Sequence, residues 1–398
     1  MLTAAEAKQR ILAAMRTLPG ERVPLDATTG RTLRQSVLAE RDQPPFDRVT
    51  MDGIALRYAE YSALERSFPI QAAQMAGDPP LALEAGHCIE IMTGAVLPEG
   101  ADLIVPVEQV TVANGHAHVQ ANYMAERRQF VHPRGSDHAR DTELLRPGVR
   151  VRPADVAILA SAGLDEVEVA QRPSVTVIST GNELVRAGEP IAAQQIRLSN
   201  GPAIVAMLTE HGFARSRHDH LPDDRAALTA RIGQHLDEAD VLILSGGVSK
   251  GKADYVPEVL AELGVAVDFH RISQRPGKPM WFGTGTRGQA VFALPGNPVS
   301  TLVCCRQYVV PALEKMSGAV PSPQLFAKLT EDVSFRPELT CFLPVRVVTS
   351  AAGQALALPV PTNTSGDFAA LSGTDGYVEL ALEQTLFEAG ATVPLHRW

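Results

Sequence analysis

The clearest candidate for binding an anion is a glycine-rich segment, SGGVSKGK, at residues 245–252. Glycines let backbone amides crowd around an anion, and serine and lysine add donors and charge. Residues 246–252 fit the first seven positions of a phosphate-binding P-loop, but the eighth is Ala253 instead of a magnesium-binding hydroxyl residue. The pattern therefore excludes a P-loop NTPase and favours an anion cradle with Asp254 beside it. A turn required only by chain geometry is the alternative.

Two further segments have a chemistry that suits an anion. In PGNP at 295–298, Asn297 and Pro298 suit the cap and first residue of a helix, whose free amides attract negative charge. A plain strand-to-helix corner explains this segment equally well. The basic residues Arg271, Arg275 and Lys278 cluster around RPGKP at 275–279, which predicts either a solvated basic loop or a phosphate clamp.

Carboxylates accompany these segments. Glu183 follows a short apolar run in STGNE at 179–183, and Asp223, Asp224 and Asp254 lie in the same part of the chain. A hard cation such as Mg²⁺ takes oxygen ligands and substrate phosphates, so this set predicts a magnesium site. Taken alone, Glu183 would be read as a solvated surface group.

The histidines do not predict a metal site. His218 and His220 flank Asp219, and His116 and His118 flank Ala117. Alternate residues of a strand share a face, but two ligands fall short of the usual three or four. We expect these histidines to be exposed on strands or loops.

The elements that position the chemistry are predicted from apolar runs. Residues 174–179, 241–244 and 290–294 read as buried strands, each followed closely by a glycine. Helical patterns near 204–211, 255–263 and after Pro298 alternate with them, which indicates βαβ units and a parallel sheet covered on both faces. Ligands bind at the carboxyl edge of such sheets, where these glycine-containing loops meet.

The rest of the chain is predicted to be mainly β. Short strand-like stretches separated by turns fill residues 68–122 and again 321–398, and Thr3 and Glu6 form a capping box that opens an N-terminal helix. A second helix is predicted over 153–163. The predicted fold class is therefore a multidomain α/β plus β protein with a doubly wound αβ domain.

Composition limits the possible partners. The chain has 398 residues and a formal charge of -9, which argues against a nucleic-acid or acidic-membrane binder. No apolar run is long enough to span a membrane, the N-terminus lacks the apolar core of a signal peptide, and four cysteines fit no metal spacing or disulfide framework. We expect a cytoplasmic protein.

Seven segments of the chain form an ordered set: PPFDRVTMDG (44–53), IMTGAVLPEGAD (91–102), RGSD (134–137), STGNEL (179–184), SGGVSKGKADY (245–255), RPGKP (275–279) and LPGNPVS (294–300). In this order they resemble the molybdopterin molybdenumtransferase family, which includes bacterial MoeA, the E-domain of gephyrin and its plant counterpart. Each motif is weak alone, but together they extend over nearly the whole chain. The αβ part alone would also resemble adenylyltransferases such as MogA.

The resemblance implies four subdomains. A split N-terminal subdomain would comprise 1–42 and 138–172, and a β-rich insert 43–137. A molybdopterin-binding αβ domain would cover 173–318, and a small C-terminal β-barrel-like domain 319–398. The family resemblance further implies an elongated homodimer, with the active site completed by the partner subunit, and contact with the adenylyltransferase of the same pathway.

The resemblance also implies a reaction: molybdate is inserted into adenylylated molybdopterin with release of AMP, using Mg²⁺ or another divalent cation. It assigns metal-binding and catalytic roles to Glu183, Asp223 and Asp254. Asp52, Thr93 and Asp137 would act catalytically from the partner subunit. The positions implied for the pterin, its phosphates and molybdate are Gly246, Gly247, Ser249, Lys278, Arg271, Arg275, Pro295, Gly296, Pro298 and Ser365.

Three departures from the family pattern indicate a divergent branch. Asn182 stands where the family often has Asp, Arg271 and Arg275 replace two lysines, and Pro344 occupies the place of an arginine, with Arg346 two residues on. An adenylyltransferase-like enzyme and a non-catalytic scaffold remain alternative readings. Neither explains the motifs as fully, since an adenylyltransferase does not need the insert and a scaffold does not need the acidic set.

Overall fold

The computed structural model describes residues 1–247 and 255–398. The chain divides into two compact units. One consists of 1–34, 147–152 and 167–398, and the other of 35–146 and 153–166. The division joins segments that are distant in sequence, as the predicted split N-terminal subdomain does. The predicted subdomain boundaries themselves stay a prediction.

The helices lie mostly where the sequence indicates them. Thr3 and Glu6 form the predicted capping box, with a Thr3 N to Glu6 Oε2 distance of 2.8 Å and a Glu6 N to Thr3 Oγ1 distance of 3.2 Å. A π-helical stretch, Cys305–Val309, joins two of the helices. The α-helices are α1 Ala4–Ala14, α2 Tyr58–Ser62, α3 Pro153–Ser161, α4 Asn200–Glu210, α5 Arg225–Glu238, α6 Val256–Glu262, α7 Pro298–Cys304 and α8 Val310–Met316.

The smaller unit is built on a six-stranded sheet. Buried apolar side chains form two clusters in this unit, one containing Val49, Ile89 and Ile104 and the other Ile54 and Phe68. The same unit contains two further short strand pairs. Arg48–Val49 pairs with Val131–His132, and Val37–Leu38 pairs with Glu143–Leu145. The sheet order is Leu103–Pro106, Gly53–Leu56, Cys88–Ile91, Ser67–Gln74, His116–Val119 and Val110–Ala113.

The larger unit contains the αβ sheet. Its six strands are β1 Val175–Thr180, β2 Ser216–Leu221, β3 Val241–Ser245, β4 Ala266–His270, β5 Trp281–Thr284 and β6 Ala290–Leu294. Side chains alternate between two cores, so that Ile243 joins one cluster and Leu242 and Leu244 the other. The strand order is β2-β1-β3-β6-β5-β4. Strands β2, β1, β3 and β6 run parallel, whereas β5 and β4 are antiparallel to their neighbours.

Strand register brings the predicted loops to one edge of this sheet. Ser179, Ser245 and Leu294 are aligned across β1, β3 and β6, so the loops that follow the three strands begin side by side. The antiparallel pairing of Trp281 with Ala293 places the start of β5 at the same edge. The basic segment 271–280, which leads into β5, therefore enters the sheet there.

A closed barrel of five strands completes the larger unit. Its buried core includes Val345, Val378 and Leu395. The short strand Gln274–Arg275 pairs with the first barrel strand and ties the basic segment to the barrel. The barrel order is Thr340–Thr349, Ala355–Pro359, Leu325–Leu329, Thr392–Arg397 and Gly376–Leu380, which pairs back to Thr340–Thr349.

The remaining strands are short pairs: Gly20–Pro24 with Glu166–Ala170, Leu184–Val185 with Ile196–Arg197, and Val333–Ser334 with Leu386–Phe387. The multidomain α/β plus β architecture predicted from the sequence is confirmed. All four cysteines are buried free thiols. Within the described ranges, no helix is both long and apolar enough to cross a membrane.

Candidate active site

A cavity of about 410 Å³ opens at the carboxyl edge of β1, β3 and β6. This volume falls in the range of small-ligand sites. Hydroxyl, amide and backbone groups line it, together with one carboxylate, one guanidinium group and several apolar side chains. The lining residues are Ser179, Thr180, Glu183, Leu184, Ile196, Arg197, Leu198, Ser199, Asn200, Ser245, Gly246, Gly296, Asn297, Pro298, Gly366 and Phe368.

The glycines after β3 are required by the backbone. Gly246 has φ +101° and Gly247 φ +69°, in the region that side chains rarely adopt. A Cβ at Gly246 would lie 2.7 Å from the carbonyl oxygen of Thr180. Gly296, by contrast, has no positive φ, and a Cβ there would meet only Gly246 Cα, at 3.8 Å. The loops after β1, β3 and β6 thus approach one another through bare backbone.

This contrast predicts unequal effects of two alanine substitutions. Gly246→Ala should lower the free energy of unfolding by about 1–3 kcal/mol, because it adds both a strained φ and a clash. Gly296→Ala is the matched control, since its methyl group fits at ordinary contact distance. Urea denaturation of both variants checks this, and equal midpoints would contradict the backbone geometry.

Thr180 offers the cavity an unused hydroxyl. The residue is only 4% exposed, and its Oγ1 is buried without a hydrogen-bond partner in the described part of the chain. Leaving a buried hydroxyl unpaired costs free energy, which a bound ligand would recover. Because Thr180 also lines the cavity, it points to ligand binding there.

Asn200 joins two of the strand-end loops and was missed by the sequence analysis. Its Nδ2 donates to Ser245 Oγ at 3.0 Å and to the Gly296 carbonyl oxygen at 2.7 Å. The residue is the first of α4, directly after Ser199. The only signal in the sequence is this polar pair before an apolar helical pattern.

The expectation that His218 and His220 are exposed was wrong. Both are half-buried on β2, where His218 Nε2 lies 3.0 Å from Ser179 Oγ and His220 Nε2 donates to the Gly181 carbonyl oxygen at 3.0 Å. Burial lowers the pKa of His218. The two rings therefore support the end of β1, which lines the cavity.

Two of the three predicted acidic residues lie close together after β1 and β2. Asp223 Oδ2 accepts from Asn182 N at 3.4 Å, and Asn182 Oδ1 accepts from Asp223 N at 3.1 Å. A Cβ at Gly181 would lie 2.6 Å from Glu183 Oε2, so that carboxylate lies against the glycine backbone. The third, Asp254, lies outside the described residues, as does Ser249. Among the residues described, no three histidine, cysteine or acidic side chains form a metal-binding group.

A second cavity of about 260 Å³ adjoins this region. Its lining includes Arg275, Val299 and Ser365. Ser365 Oγ accepts from Asn297 Nδ2 at 2.6 Å, and its carbonyl oxygen accepts from Val299 N at 3.1 Å. The loop that carries Ser365 therefore stands between the two cavities, with Gly366 lining the first.

The other predicted substrate-binding residues lie at or near this edge. The Pro295 carbonyl oxygen accepts from Thr301 Oγ1 at 2.5 Å, and Pro298 begins α7. Arg271 is half-buried with φ +77°, and Lys278 is exposed in the loop before β5. Neither lines either of the two cavities, whereas Arg275 lines the second.

Pro344 and Arg346, where the sequence departs from the family pattern, have different surroundings. Pro344 is buried and lines the second cavity. Arg346 is exposed, and a Cβ at Gly373 would lie 3.5 Å from its Nη2. Its side chain is therefore beside Gly373 and not among the residues that line the cavity.

In the smaller unit, Asp52 and Thr93 form an exposed pair. Asp52 Oδ1 accepts from the backbone N and from Oγ1 of Thr93, both at 2.7 Å. These two bonds, the backbone bond first, lower the pKa of Asp52. The carboxylate is thus held ionised and fixed in direction near neutral pH.

Asp137 belongs to a separate chain of contacts in this unit. Asp137 Oδ1 lies 3.2 Å from His132 Nε2, and His132 Nδ1 lies 3.1 Å from Arg48 Nη2. Asp47 Oδ1 accepts from Arg134 N at 2.9 Å. The structure therefore brings the PPFDR and RGSD segments together.

Matches to known families fall in consecutive parts of the chain. Residues 2–163 match the family model described as MoeA N-terminal region (domain I and II). Residues 176–315 match a probable molybdopterin binding domain, and 327–398 the MoeA C-terminal region (domain IV).

Relatives and solved structures cover the full length. A molybdopterin molybdenumtransferase of Synechocystis is 37% identical, with all of both chains covered, and that of Staphylococcus aureus strain MRSA252 is 30% identical over 98% of this chain and 94% of its own. A crystal structure of the molybdopterin biosynthesis MoeA protein from Pyrococcus horikoshii superposes with a TM-score of 0.82 at 30% identity, covering 100% of this chain and 99% of that one. With three consecutive domain matches and full-length relatives, the chain belongs to the molybdopterin molybdenumtransferase family.

Proposed function

We propose that this protein inserts molybdate into adenylylated molybdopterin and releases AMP, as a step of molybdenum cofactor biosynthesis. The observation that carries the proposal is the cavity at the carboxyl edge of β1, β3 and β6, which combines glycine backbone, hydroxyl groups and a carboxylate. Relatives named molybdopterin molybdenumtransferase, matched over 98–100% of this chain, support it.

The pterin and its phosphates would lie along the bare backbone of the strand-end loops. Gly246 and Gly296 line the cavity, and the unpaired Thr180 hydroxyl adds a donor there. Close approach of backbone amides suits phosphate oxygens, since each amide is a fixed donor. Gly247, Ser249, Pro295 and Pro298 would complete this surface.

Molybdate, the second substrate, is an anion and needs positive charge nearby. Arg275 lines the adjoining cavity with Ser365, and Arg271 and Lys278 belong to the same basic segment. A guanidinium offers two parallel donors, whereas an ammonium acts as a point charge. The two arginines would therefore hold an oxyanion in a more restricted orientation than lysines.

A divalent cation fits the acidic residues present. Magnesium is commonly held by one or two carboxylates together with substrate phosphates and water. Glu183 and Asp223 provide two such groups on adjoining loops, and Asp254 would add a third. A cation bound there would neutralise the phosphate charge that develops as AMP leaves.

We further propose that the chain acts as a cytoplasmic homodimer. Asp52, Thr93 and Asp137 would then act on substrate bound by the partner subunit. The fixed, ionised state of Asp52 suits such a role, because an ordered carboxylate needs no rearrangement when substrate arrives. The adenylyltransferase that supplies the substrate is the proposed pathway partner.

The deciding experiment measures AMP released from adenylylated molybdopterin with and without molybdate. We expect release that depends on both molybdate and Mg²⁺. Incubation with ATP and unmodified molybdopterin is the counter-test: net adenylylation would assign the protein to the adenylyltransferases. Absence of both activities in folded protein would favour a scaffold.

A further inference from the structure

A third cavity, of about 80 Å³, lies in the larger unit and shares no lining residue with the two cavities of the candidate active site. It is formed by the turn after α4, by residues 30–32 and 170–172, and by the end of α8 and the segment after it. Its volume suits a small ion or a few water molecules. Three arginines line it: Arg31, Arg150 and Arg172.

Arg172 is the first sign that the cavity suits an anion. Its Nε is buried and has no hydrogen-bond acceptor among the residues described. Burial, and then the charges of Arg31 and Arg215, lower the pKa of this guanidinium. Arg31 has its own partners, Glu21 and the Ala170 carbonyl oxygen. The charge of Glu21 also acts on Arg172, but it is the smallest of the four effects on the pKa of that guanidinium.

Arg150 approaches the same space from another segment. A Cβ at Gly212 would lie 2.8 Å from Arg150 Nη2, which places the guanidinium over the turn that ends α4. The negative end of the α4 dipole offsets part of this charge. No carboxylate of the described chain forms an ion pair with Arg150 within 4.0 Å.

His211 adds a third unpaired group. Burial, with the charges of Arg306 and Arg150, lowers the pKa of His211 to about 4, so the ring is neutral near pH 7. A backbone hydrogen bond links the ring to Trp398, whereas its Nε2 is buried without any partner in the described chain. A nearby anion would favour protonation of Nε2, which would then become a donor.

The opposing charge in the lining is small. Glu314 is the one acidic residue of the lining, against three arginines; burial raises its pKa, whereas the charges of Arg306, Arg150 and Lys8 oppose that rise. The cavity is thus locally positive in a chain whose net charge is -9. Water can accept hydrogen bonds from guanidinium groups, but it does not cancel their mutual repulsion. An oxyanion accepts the hydrogen bonds and also cancels the repulsion.

We propose that this cavity binds a small tetrahedral oxyanion, such as sulfate or phosphate, held chiefly by Arg150 and Arg172. Planar guanidinium groups bind such ions through two parallel N–H···O bonds, which favours them over halides. The bound ion links the turn after α4 to residues 170–172. This role is independent of the proposed catalytic reaction.

The test is calorimetric titration of the full-length protein with sodium sulfate, at constant ionic strength set by chloride. We expect Arg172→Gln to weaken sulfate binding at least ~10-fold, because it removes a charge-assisted donor. Arg22→Gln, which alters an exposed arginine of the same unit, should bind like wild type.

Thermal unfolding in chloride alone provides a check on folding. In chloride, Arg172→Gln should be at least as stable as wild type, because the substitution relieves repulsion with Arg31 and Arg215. Added sulfate should raise the Tm of wild type but not that of the variant. The proposal is overturned if sulfate stabilises wild type no more than chloride. It is also overturned if Arg172→Gln binds sulfate as wild type does.

Discussion

Glu183→Gln is expected to reduce molybdate-dependent AMP release by about 10²–10³-fold, the cost of removing one well-placed electrostatic contact in an active site. Glutamine keeps the size of the side chain but removes the charge that would bind the cation. Glu183 is exposed and lines the cavity beside Gly181, so the fold should not depend on it. Turnover measured across a range of Mg²⁺ concentrations should show that the variant requires more Mg²⁺.

The matched control is Glu189→Gln, an exposed glutamate six residues further on that does not line the cavity. It should retain wild-type turnover, and both variants should unfold at the wild-type temperature. If Glu183→Gln turned over substrate like Glu189→Gln at every Mg²⁺ concentration, Glu183 would have no role in the reaction.

The positions of the strand-end loops could be predicted because their signals are local. An apolar run followed by glycine occurs at β1, β3 and β6, and parallel strands necessarily bring such ends to one edge. Gly246 illustrates this directly, since its positive φ and its contact with Thr180 both follow from a sharp turn at a strand end.

Neither strand β2 nor helix α5 was predicted from the sequence, because polar residues of the strand are paired with the helix. The strand reads SRHDHL, which lacks an apolar run because β2 is an edge strand with β1 as its single neighbour in the sheet. Its Asp219 is paired with Arg231 and His235 of α5 at 2.7 and 2.8 Å. The polar pattern therefore reflects contacts with α5 that become visible only in three dimensions.

Asn200 was missed because its partners are remote in sequence. Ser245 is 45 residues away and Gly296 is 96 residues away, and a single Asn carries no signal for either contact. That the Thr180 hydroxyl has no partner among the described residues is likewise a property of the folded surroundings. Sequence thus predicts which loops form the site, whereas the packed structure is needed to identify the side chains that connect them.

Cross-subunit complementation is the second large expected effect. Asp52→Ala and Glu183→Ala should each be nearly inactive alone, because each removes a proposed catalytic carboxylate. After subunit exchange in an equal mixture, half of the dimers are mixed and each has one intact site, so about a quarter of wild-type activity should return. Differently tagged subunits allow the mixed dimers to be isolated and assayed separately.

The informative negative control pairs two variants altered in the same unit, Glu183→Ala and Lys278→Ala. If a site takes this unit from one subunit and Asp52 from the other, every mixed dimer of that pair has one altered residue in each site and should stay inactive. Recovery in the Asp52 mixture alone would therefore locate Asp52 in the partner's site. No recovery in isolated mixed dimers of Asp52→Ala and Glu183→Ala would show instead that Asp52 does not act across the interface, because each site would then lack one of the two carboxylates.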